Sequence, residues 1–217
     1  MKLTSEREAV AAACRRLAAE GLVIQTAGNV SVRADDDLVV VTPTGGVFDE
    51  LEADQMTVVD LAGEVVDGRH APTSELALHL GVYNRLDGAG AVVHTHSPMA
   101  TALSCVVDEV PAVHYTMLAL GGTVPVAEYA TFGTEELARN VVAALERAPA
   151  TLMRSHGATT YAHDLDGAME LALLLEWACT LYWRASMIGD PAVLTPEQLQ
   201  DVVSVVVERG YGRLSEA

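Results

Sequence analysis

Hydrophobic and polar positions along the chain switch between helical spacing and strand-like alternation. Apolar residues recur at helical spacing near residues 5–20, 75–86, 98–105, 135–148, 165–188 and 196–208. Short alternating or continuous apolar runs predict strands near residues 29–33, 38–42, 58–60, 64–66, 91–96, 124–126, 150–154 and 158–162. No repeat, low-complexity tract or linker interrupts these segments, so residues 1–217 are predicted to form a single domain.

Residues with short hydroxyl or carboxylate side chains stand at several predicted helix starts, where they can accept hydrogen bonds from free backbone N–H groups. The expected caps are Thr4 or Ser5, Thr73 or Ser74, Thr134, and Asp164. Gly21 is expected to end the first helix. Glu75 would lie in the first turn of the second helix, where a carboxylate complements the helix dipole or serves a site.

Two histidines close the apolar run 91–96. His94 and His96 are two residues apart, so on a strand their side chains point to the same face. Paired imidazoles at a strand end suit zinc, although either could be a hydrogen-bonded residue at a sheet edge. His156 follows the apolar run 150–154 beside a glycine and is the candidate third ligand, with Glu75 the candidate fourth ligand and base.

Composition and net charge argue against some classes of binding partner. Half of the residues are apolar and the formal net charge is −17, which argues against a nucleic-acid or anionic-membrane surface. An anionic substrate would have to be held locally. Hydroxyl, amide and backbone N–H donors cluster in separate turns at Asn29, Thr44, Gly45, Thr73 and Ser74, and together they resemble a phosphate cradle.

Cysteine usage and the N-terminus point to a cytoplasmic protein. Cys14, Cys105 and Cys179 lack C-x-x-C spacing, which predicts reduced, buried thiols rather than a disulfide framework. The first residues lack the apolar core of a signal peptide. The long apolar segment 168–188 contains charged residues, so it is predicted to be a buried helix and not a membrane span.

These short motifs, in this order, resemble the class II aldolase family, and within it the members acting on L-fuculose 1-phosphate. The motifs are Gly28-Asn29-Val30-Ser31, Thr42-Pro43-Thr44-Gly45, Thr73-Ser74-Glu75, His94-Thr95-His96, Pro111-Ala112-Val113-His114-Tyr115, Tyr129-Ala130-Thr131-Phe132-Gly133, His156-Gly157 and Tyr211-Gly212. The resemblance implies a three-layer α/β/α sandwich around a mainly antiparallel sheet. It also implies a homotetramer with active sites between subunits.

The resemblance further implies roles that spacing alone could not assemble. It makes His94, His96 and His156 ligands of one Zn²⁺ per subunit, with Glu75 a resting ligand that becomes the acid/base. Asn29, Thr44, Gly45, Thr73 and Ser74 would bind the phosphate of dihydroxyacetone phosphate. Tyr115 from the adjacent subunit would protonate the aldehyde oxygen, and Phe132 and Tyr211 would shape the aldehyde pocket. The implied reaction is cleavage of a ketose 1-phosphate, such as L-fuculose 1-phosphate, into dihydroxyacetone phosphate and L-lactaldehyde.

Rival functions share much of this machinery. Aldolases of other deoxy-ketose phosphates need differ only in the aldehyde pocket. Ribulose-phosphate 4-epimerases tend to carry aspartate at the position of Glu75, and methylthioribulose-phosphate dehydratases match less well overall. A non-catalytic adducin-head-like scaffold would lack the zinc histidines. A Schiff-base mechanism is disfavoured because Lys2 is the only lysine in the chain.

Overall fold

A central sheet organises the fold. The structure is a computed structural model that describes residues 2–34 and 37–209 of the 217-residue chain. Nine strands within those ranges form the sheet: β1 Asn29–Arg33, β2 Leu38–Val41, β3 Thr57–Asp60, β4 Val65–Asp67, β5 Ala91–Thr95, β6 Glu109–Val110, β7 Val124–Ala127, β8 Ala150–Met153 and β9 Gly157–Ala162. Their order is β4-β3-β2-β1-β5-β9-β8-β7-β6, and every neighbouring pair is antiparallel except β7 with β8.

Helices cover both faces of the sheet. Their bounds are α1 Thr4–Ala19, α2 Leu76–Arg85, α3 Pro98–Ser104, α4 Glu135–Leu145, α5 Leu165–Ile188 and α6 Pro196–Arg209, with 3₁₀ turns at Ala53–Gln55 and Tyr115–Leu120. Helices α1 and α5 share an apolar core with Val93, whereas α2 and α4 share another with Val92. Adjacent residues of β5 enter different cores because side chains alternate along a strand. These layers confirm the predicted α/β/α sandwich around a mainly antiparallel sheet.

The predicted helices are present, but two of the predicted caps are wrong. Leu3 occupies the N-cap position of α1 with a left-handed backbone and no side-chain cap, so neither Thr4 nor Ser5 serves. The N-cap residue of α2 is Glu75, and neither Thr73 nor Ser74 as predicted. Glu75 therefore precedes the first turn of α2, and its side chain makes no cap hydrogen bond. Its carboxylate is engaged elsewhere, as described below. The caps at Thr134 and Asp164 are confirmed, because each accepts a backbone N–H of its own helix.

The thiols differ from the prediction at one position. Cys14 and Cys179 are buried, and burial raises the pKa of both. Cys105 is exposed because it follows the last turn of the short helix α3, where its Sγ–H donates to the carbonyl of Thr101. Across the described ranges, no helix combines the length and hydrophobicity needed to cross a bilayer.

Candidate metal centre and active-site cleft

Three histidines from separate parts of the sheet meet at one point. His94 lies near the end of β5, His96 follows that strand, and His156 lies in the turn joining β8 to β9. Because β5 and β9 are neighbours, the turn is carried to the end of β5. One ring nitrogen of each histidine lies within 4.8 Å of the others, and the ring centroids are 4.9–5.0 Å apart. The structure thus brings together the three predicted imidazoles.

The turn that carries His156 is tight and conformationally unusual. Ser155 has a φ of 53°, a left-handed conformation that a residue other than glycine rarely adopts. Its amide donates to the hydroxyl of Ser104, which ties the turn to α3. Gly157 follows, and a Cβ there would lie 2.3 Å from the carbonyl oxygen of Thr95. Only glycine allows β9 to approach β5 this closely beside the histidines.

Hydrogen bonding and burial keep the histidines in a ligand-like state. The Nδ1–H of His94 donates to the carbonyl of Ala158 over 2.9 Å, which turns Nε2 of the ring toward the cluster. Burial lowers the pKa of His96 to about 3 and that of His156 to about 4, so both rings are neutral at pH 7. The carboxylate of Glu75 raises the pKa of His94 even though burial opposes the charged form.

Glu75 completes the cluster. It is buried, with Oε2 3.1 Å from Nε2 of His94 and Oε1 3.6 Å from Nε2 of His156. Asn29 donates its amide N–H to Oε2 over 2.9 Å. Burial opposes the ionisation of Glu75, but His94 and Asn29 outweigh it and hold its pKa well below the usual range. Glu75 is therefore a carboxylate placed against two of the three imidazoles, those of His94 and His156.

These residues fit a divalent metal ion. The Nε2 atoms of His94 and His96 are 3.1 Å apart, and tetrahedral zinc with Zn–N bonds of about 2.0–2.1 Å places its ligand nitrogens about 3.3 Å apart. Oε1 of Glu75 is buried without a hydrogen-bond partner among the described residues. A buried carboxylate oxygen left unpaired is costly unless a cation meets it. Three imidazoles and one carboxylate form a donor set that a divalent ion such as zinc accepts.

A cleft of about 280 Å³ opens onto the cluster. Its walls come from three turns and a loop: Thr26, Ala27, Gly28, Asn29, Pro43, Thr44, Gly45, Thr73, Ser74, Glu75, His96, Phe132 and His156. The predicted phosphate-binding residues all line it. Thr26, Ala27, Gly28 and Pro43 were not predicted as site residues, although Gly28 adjoins Asn29 and Pro43 adjoins Thr44 in sequence. Within the described ranges, the lining contains no lysine or arginine.

The residues predicted for the aldehyde pocket are distributed differently. Phe132 lines the cleft, and its loop packs on the turn that contains Thr73 and Ser74, because a Cβ at Gly133 would lie 3.0 Å from the carbonyl oxygen of Ser74. Tyr115 lies elsewhere in this chain, on the 3₁₀ turn Tyr115–Leu120 beside a groove formed with α6. Tyr211 lies outside the described residues. Lys2 is exposed, its backbone N–H donates to Asp67, and it does not line the cleft of its own chain.

Comparison with known proteins agrees with this geometry. A family model described as "Class II Aldolase and Adducin N-terminal domain" matches residues 8–183. The chain is 38% identical to the L-fuculose phosphate aldolase of Escherichia coli strain K12 over 198 residues, covering 90% of this chain and 89% of that protein. It is 32% identical to a 5-deoxy-D-ribulose 1-phosphate aldolase of Bacillus thuringiensis serovar kurstaki, covering 98% and 100% of the two chains.

A solved structure has the same fold as this chain. An L-fuculose 1-phosphate aldolase superposes with a TM-score of 0.91 at 33% sequence identity, covering 95% of this chain and 98% of that one. The family match spans the three histidines, Glu75 and the turns that line the cleft. The chain that builds this histidine cluster and cleft is a member of the class II aldolase and adducin N-terminal domain family.

Proposed function

We propose that this protein is a zinc-dependent aldolase that reversibly cleaves L-fuculose 1-phosphate into dihydroxyacetone phosphate and L-lactaldehyde. The observation that carries the proposal is the position of Glu75. Its carboxylate lies against two imidazoles of the three-histidine cluster, in a cleft whose walls are rich in hydroxyl groups. A base, a metal site and a polar cradle therefore face one substrate-sized space.

The phosphate of the substrate would lie among the three turns of the cleft. Thr44 and Gly45 form one wall, and Thr73 and Ser74 form another. Hydroxyl and backbone N–H groups can each donate to phosphate oxygens, and donation to a charged acceptor strengthens each bond. Asn29 belongs to the same cradle and commits one amide N–H to the carboxylate of Glu75, which leaves its other amide hydrogen for the phosphate.

Glu75 would move the proton at carbon. His94, His96 and His156 would hold the zinc ion, which supplies a Lewis acid that stabilises negative charge developing on substrate oxygens. In the condensation direction, Glu75 removes a proton from the hydroxymethyl carbon of dihydroxyacetone phosphate, and in cleavage it returns that proton. Glu75 is only 6% exposed, which limits its contact with bulk water.

The aldehyde end would be completed by a second subunit. In this proposal the protein is a cytoplasmic homotetramer, and Tyr115 of a neighbouring copy donates a proton to the aldehyde oxygen during condensation and recovers it during cleavage. Tyr115 is 44% exposed and does not line the cleft of its own chain. Both features are expected of a residue that acts in the active site of a neighbouring subunit. Phe132 and Tyr211 would contact the aldehyde carbons.

A second candidate substrate is 5-deoxyribulose 1-phosphate. The Bacillus relative named for that substrate aligns over 98% of this chain, more than the 90% covered by the Escherichia coli relative. Cleavage of either ketose phosphate yields dihydroxyacetone phosphate, so the cradle and Glu75 would serve both. The substrates differ in the aldehyde released, acetaldehyde or L-lactaldehyde, and thus in what the pocket around Phe132 must accept.

An activity panel tests the proposal. Zinc-loaded protein is incubated with L-fuculose 1-phosphate, 5-deoxyribulose 1-phosphate and 5-methylthioribulose 1-phosphate, and released dihydroxyacetone phosphate is measured. We expect cleavage that chelation and Glu75→Gln both abolish, with the highest kcat/KM for L-fuculose 1-phosphate. Epimerisation of a pentulose phosphate without aldehyde release would favour an epimerase, and release of water would favour a dehydratase. Equal cleavage of unphosphorylated fuculose would refute the phosphate cradle.

A further inference from the structure

A continuous chain of buried hydrogen bonds runs from Glu75 into the core between α2 and β1. Asn29 donates to Glu75 over 2.9 Å, and the other end of the Asn29 amide, Oδ1, lies within hydrogen-bond distance of Nε2 of His79. Nδ1 of His79 lies 2.6 Å from the hydroxyl of Ser31, which lies 2.7 Å from the hydroxyl of Tyr83. All five side chains are buried.

The residue spacings of the helix and the strand produce this series of hydrogen bonds. Glu75, His79 and Tyr83 are four residues apart along the start and length of α2, and Asn29 and Ser31 are two apart on β1. Four helical residues advance about 6.0 Å and two strand residues about 6.8 Å, so side chains from the two elements can interleave over this length. The result is an alternating stack of helix and strand residues.

The hydrogen bonds in the stack have one consistent direction. An ionised carboxylate only accepts, so Asn29 must turn its NH₂ group toward Glu75 and its carbonyl oxygen toward His79. That oxygen requires a hydrogen on Nε2 of His79, which leaves Nδ1 to accept from the hydroxyl of Ser31. The Ser31 oxygen then accepts from Tyr83. Burial lowers the pKa of His79 to about 3 and raises that of Tyr83, so His79 is neutral and Tyr83 keeps its proton.

Moving the hydrogen on His79 to the other ring nitrogen, or flipping the amide of Asn29, would leave two hydrogen-bond acceptors facing each other near Glu75. If His79 carried its hydrogen on Nδ1, Nε2 would face the carbonyl oxygen of Asn29 lone pair to lone pair. The Asn29 amide could then relax by flipping, which would place its carbonyl oxygen against the Glu75 carboxylate. Buried mismatches of this kind are costly, and the carboxylate would move to avoid one.

We propose that His79 is a positioning residue that fixes the amide of Asn29, and through it the carboxylate of Glu75, in the orientation that faces the histidine cluster. The inference rests on the proposed role of Glu75 as metal ligand and acid/base. It assigns a task to a side chain that contacts neither the substrate cleft nor the three histidines. Partners of this kind, one step removed from a metal site, typically change metal affinity or activity by about 10–100-fold when replaced.

A matched pair of substitutions separates positioning from packing. In H79Q the amide nitrogen reaches the place of Nε2 and can still donate to Asn29, whereas in H79N it reaches only the place of Nδ1. Both variants put an uncharged amide into the same buried position. Because Asn is one methylene shorter than Gln, any separate loss of packing in H79N is measured by thermal unfolding, and a positioning role predicts a loss of metal affinity beyond that change in stability. Cobalt(II) titration of the metal-free protein, followed by its absorption spectrum, reports the ligand set without any substrate.

We expect H79N to lose Co²⁺ affinity by about 10-fold, in the direction of Glu75→Gln, and H79Q to stay within about 3-fold of the unaltered protein. Proton exchange at the hydroxymethyl carbon of dihydroxyacetone phosphate should fall by about 10–100-fold in H79N and recover in H79Q. Equal Co²⁺ affinities in H79N and H79Q would overturn the proposal and leave His79 a packing residue. Thermal unfolding of both variants serves as the control for stability.

One further substitution and one control allow the proposal to be tested even if H79N does not fold or the proposed activity is absent. If H79N does not fold, S31A removes the hydroxyl that sets the hydrogen position on His79, and we expect Co²⁺ affinity to fall by about 3-fold or more. Unaltered Co²⁺ affinity in S31A would then overturn the proposal. A protein that cleaves no ketose 1-phosphate would refute the proposed function alone, because the Co²⁺ comparison needs no substrate.

Discussion

Gly157→Ala should disable the metal centre, because a methyl group at this position collides with the backbone of the neighbouring strand. The added Cβ would lie 2.3 Å from the carbonyl oxygen of Thr95, and the contact must open by about 0.7 Å to reach 3.0 Å, the shortest separation real Cβ atoms show. The same Cβ would lie 3.3 Å from ring carbons of both His94 and His96. The strain is therefore directed at the strand end that carries two of the histidines.

The expected size of the effect follows from that geometry. Overpacking a well-packed interior costs about 1–3 kcal/mol in the free energy of unfolding. A displacement approaching 1 Å in a catalytic constellation can lower the rate about 10²-fold. We expect G157A to fold with lowered stability, to bind zinc more weakly, and to cleave ketose phosphate about 10²-fold more slowly than the unaltered protein.

The assay has a matched control within the chain. Gly189, just after α5, has an extended φ of 173°, and no atom lies within 4 Å of the place an added methyl group would take, so G189A makes the same chemical change in open space. We expect G189A to lie within about 0.5 kcal/mol of the unaltered protein in urea unfolding. Zinc content by mass spectrometry and kcat complete the comparison. If G157A matched G189A in stability, zinc content and rate, the close approach of β9 to β5 would not govern the site.

Three further predictions test the assigned roles. His156→Ala should reduce both bound zinc and turnover, and full zinc occupancy in that variant would mean that the third ligand is wrong. Ser74→Ala should weaken binding of the ketose phosphate by about 1–3 kcal/mol. Steady-state kinetics should show this as a higher KM with little change in kcat. Tyr115→Phe should slow cleavage about 10²–10⁴-fold while proton exchange at the dihydroxyacetone phosphate carbon persists. Mixing Tyr115→Phe with Glu75→Gln subunits should restore activity, and verified hybrids that stay inactive would argue against a shared site.

Sequence patterns were sufficient for the parts of the site that depend on local periodicity. His94 and His96 are two residues apart, which puts them on one face of a strand whatever the rest of the fold does. Their meeting with His156 depends on β5 and β9 being neighbours, and no local pattern contains that pairing. The family resemblance supplied it. The same holds for Glu75, whose local pattern favours a first-turn carboxylate and whose actual place is the N-cap.

The errors have local causes that patterns do not record. Thr4 and Ser5 are good capping residues, yet the helix starts early enough that Leu3 takes the cap position. Cys105 was expected in the core because cysteine is usually buried, but it lies at the exposed end of a short helix. The hydrogen-bonded stack from Glu75 to Tyr83 does not follow from the pattern of either element alone, because it needs the helix and strand spacings to be considered together. The assignment of residues 1–217 to a single domain stays a prediction.

Among the described residues, no lysine or arginine lines the cleft, and this has a consequence for how salt should affect capture of the substrate. Phosphate sites lined by lysine or arginine attract their ligand from a distance, and added salt slows that approach. Here a chain of net charge −17 repels a sugar phosphate until it reaches the donors at the cleft. Raising the ionic strength from 0.01 M to 0.1 M shortens the Debye length from about 30 Å to about 10 Å, which weakens the repulsion but leaves short contacts nearly intact. The association rate should therefore rise with salt over this range, the reverse of the behaviour of an enzyme that steers its anion in.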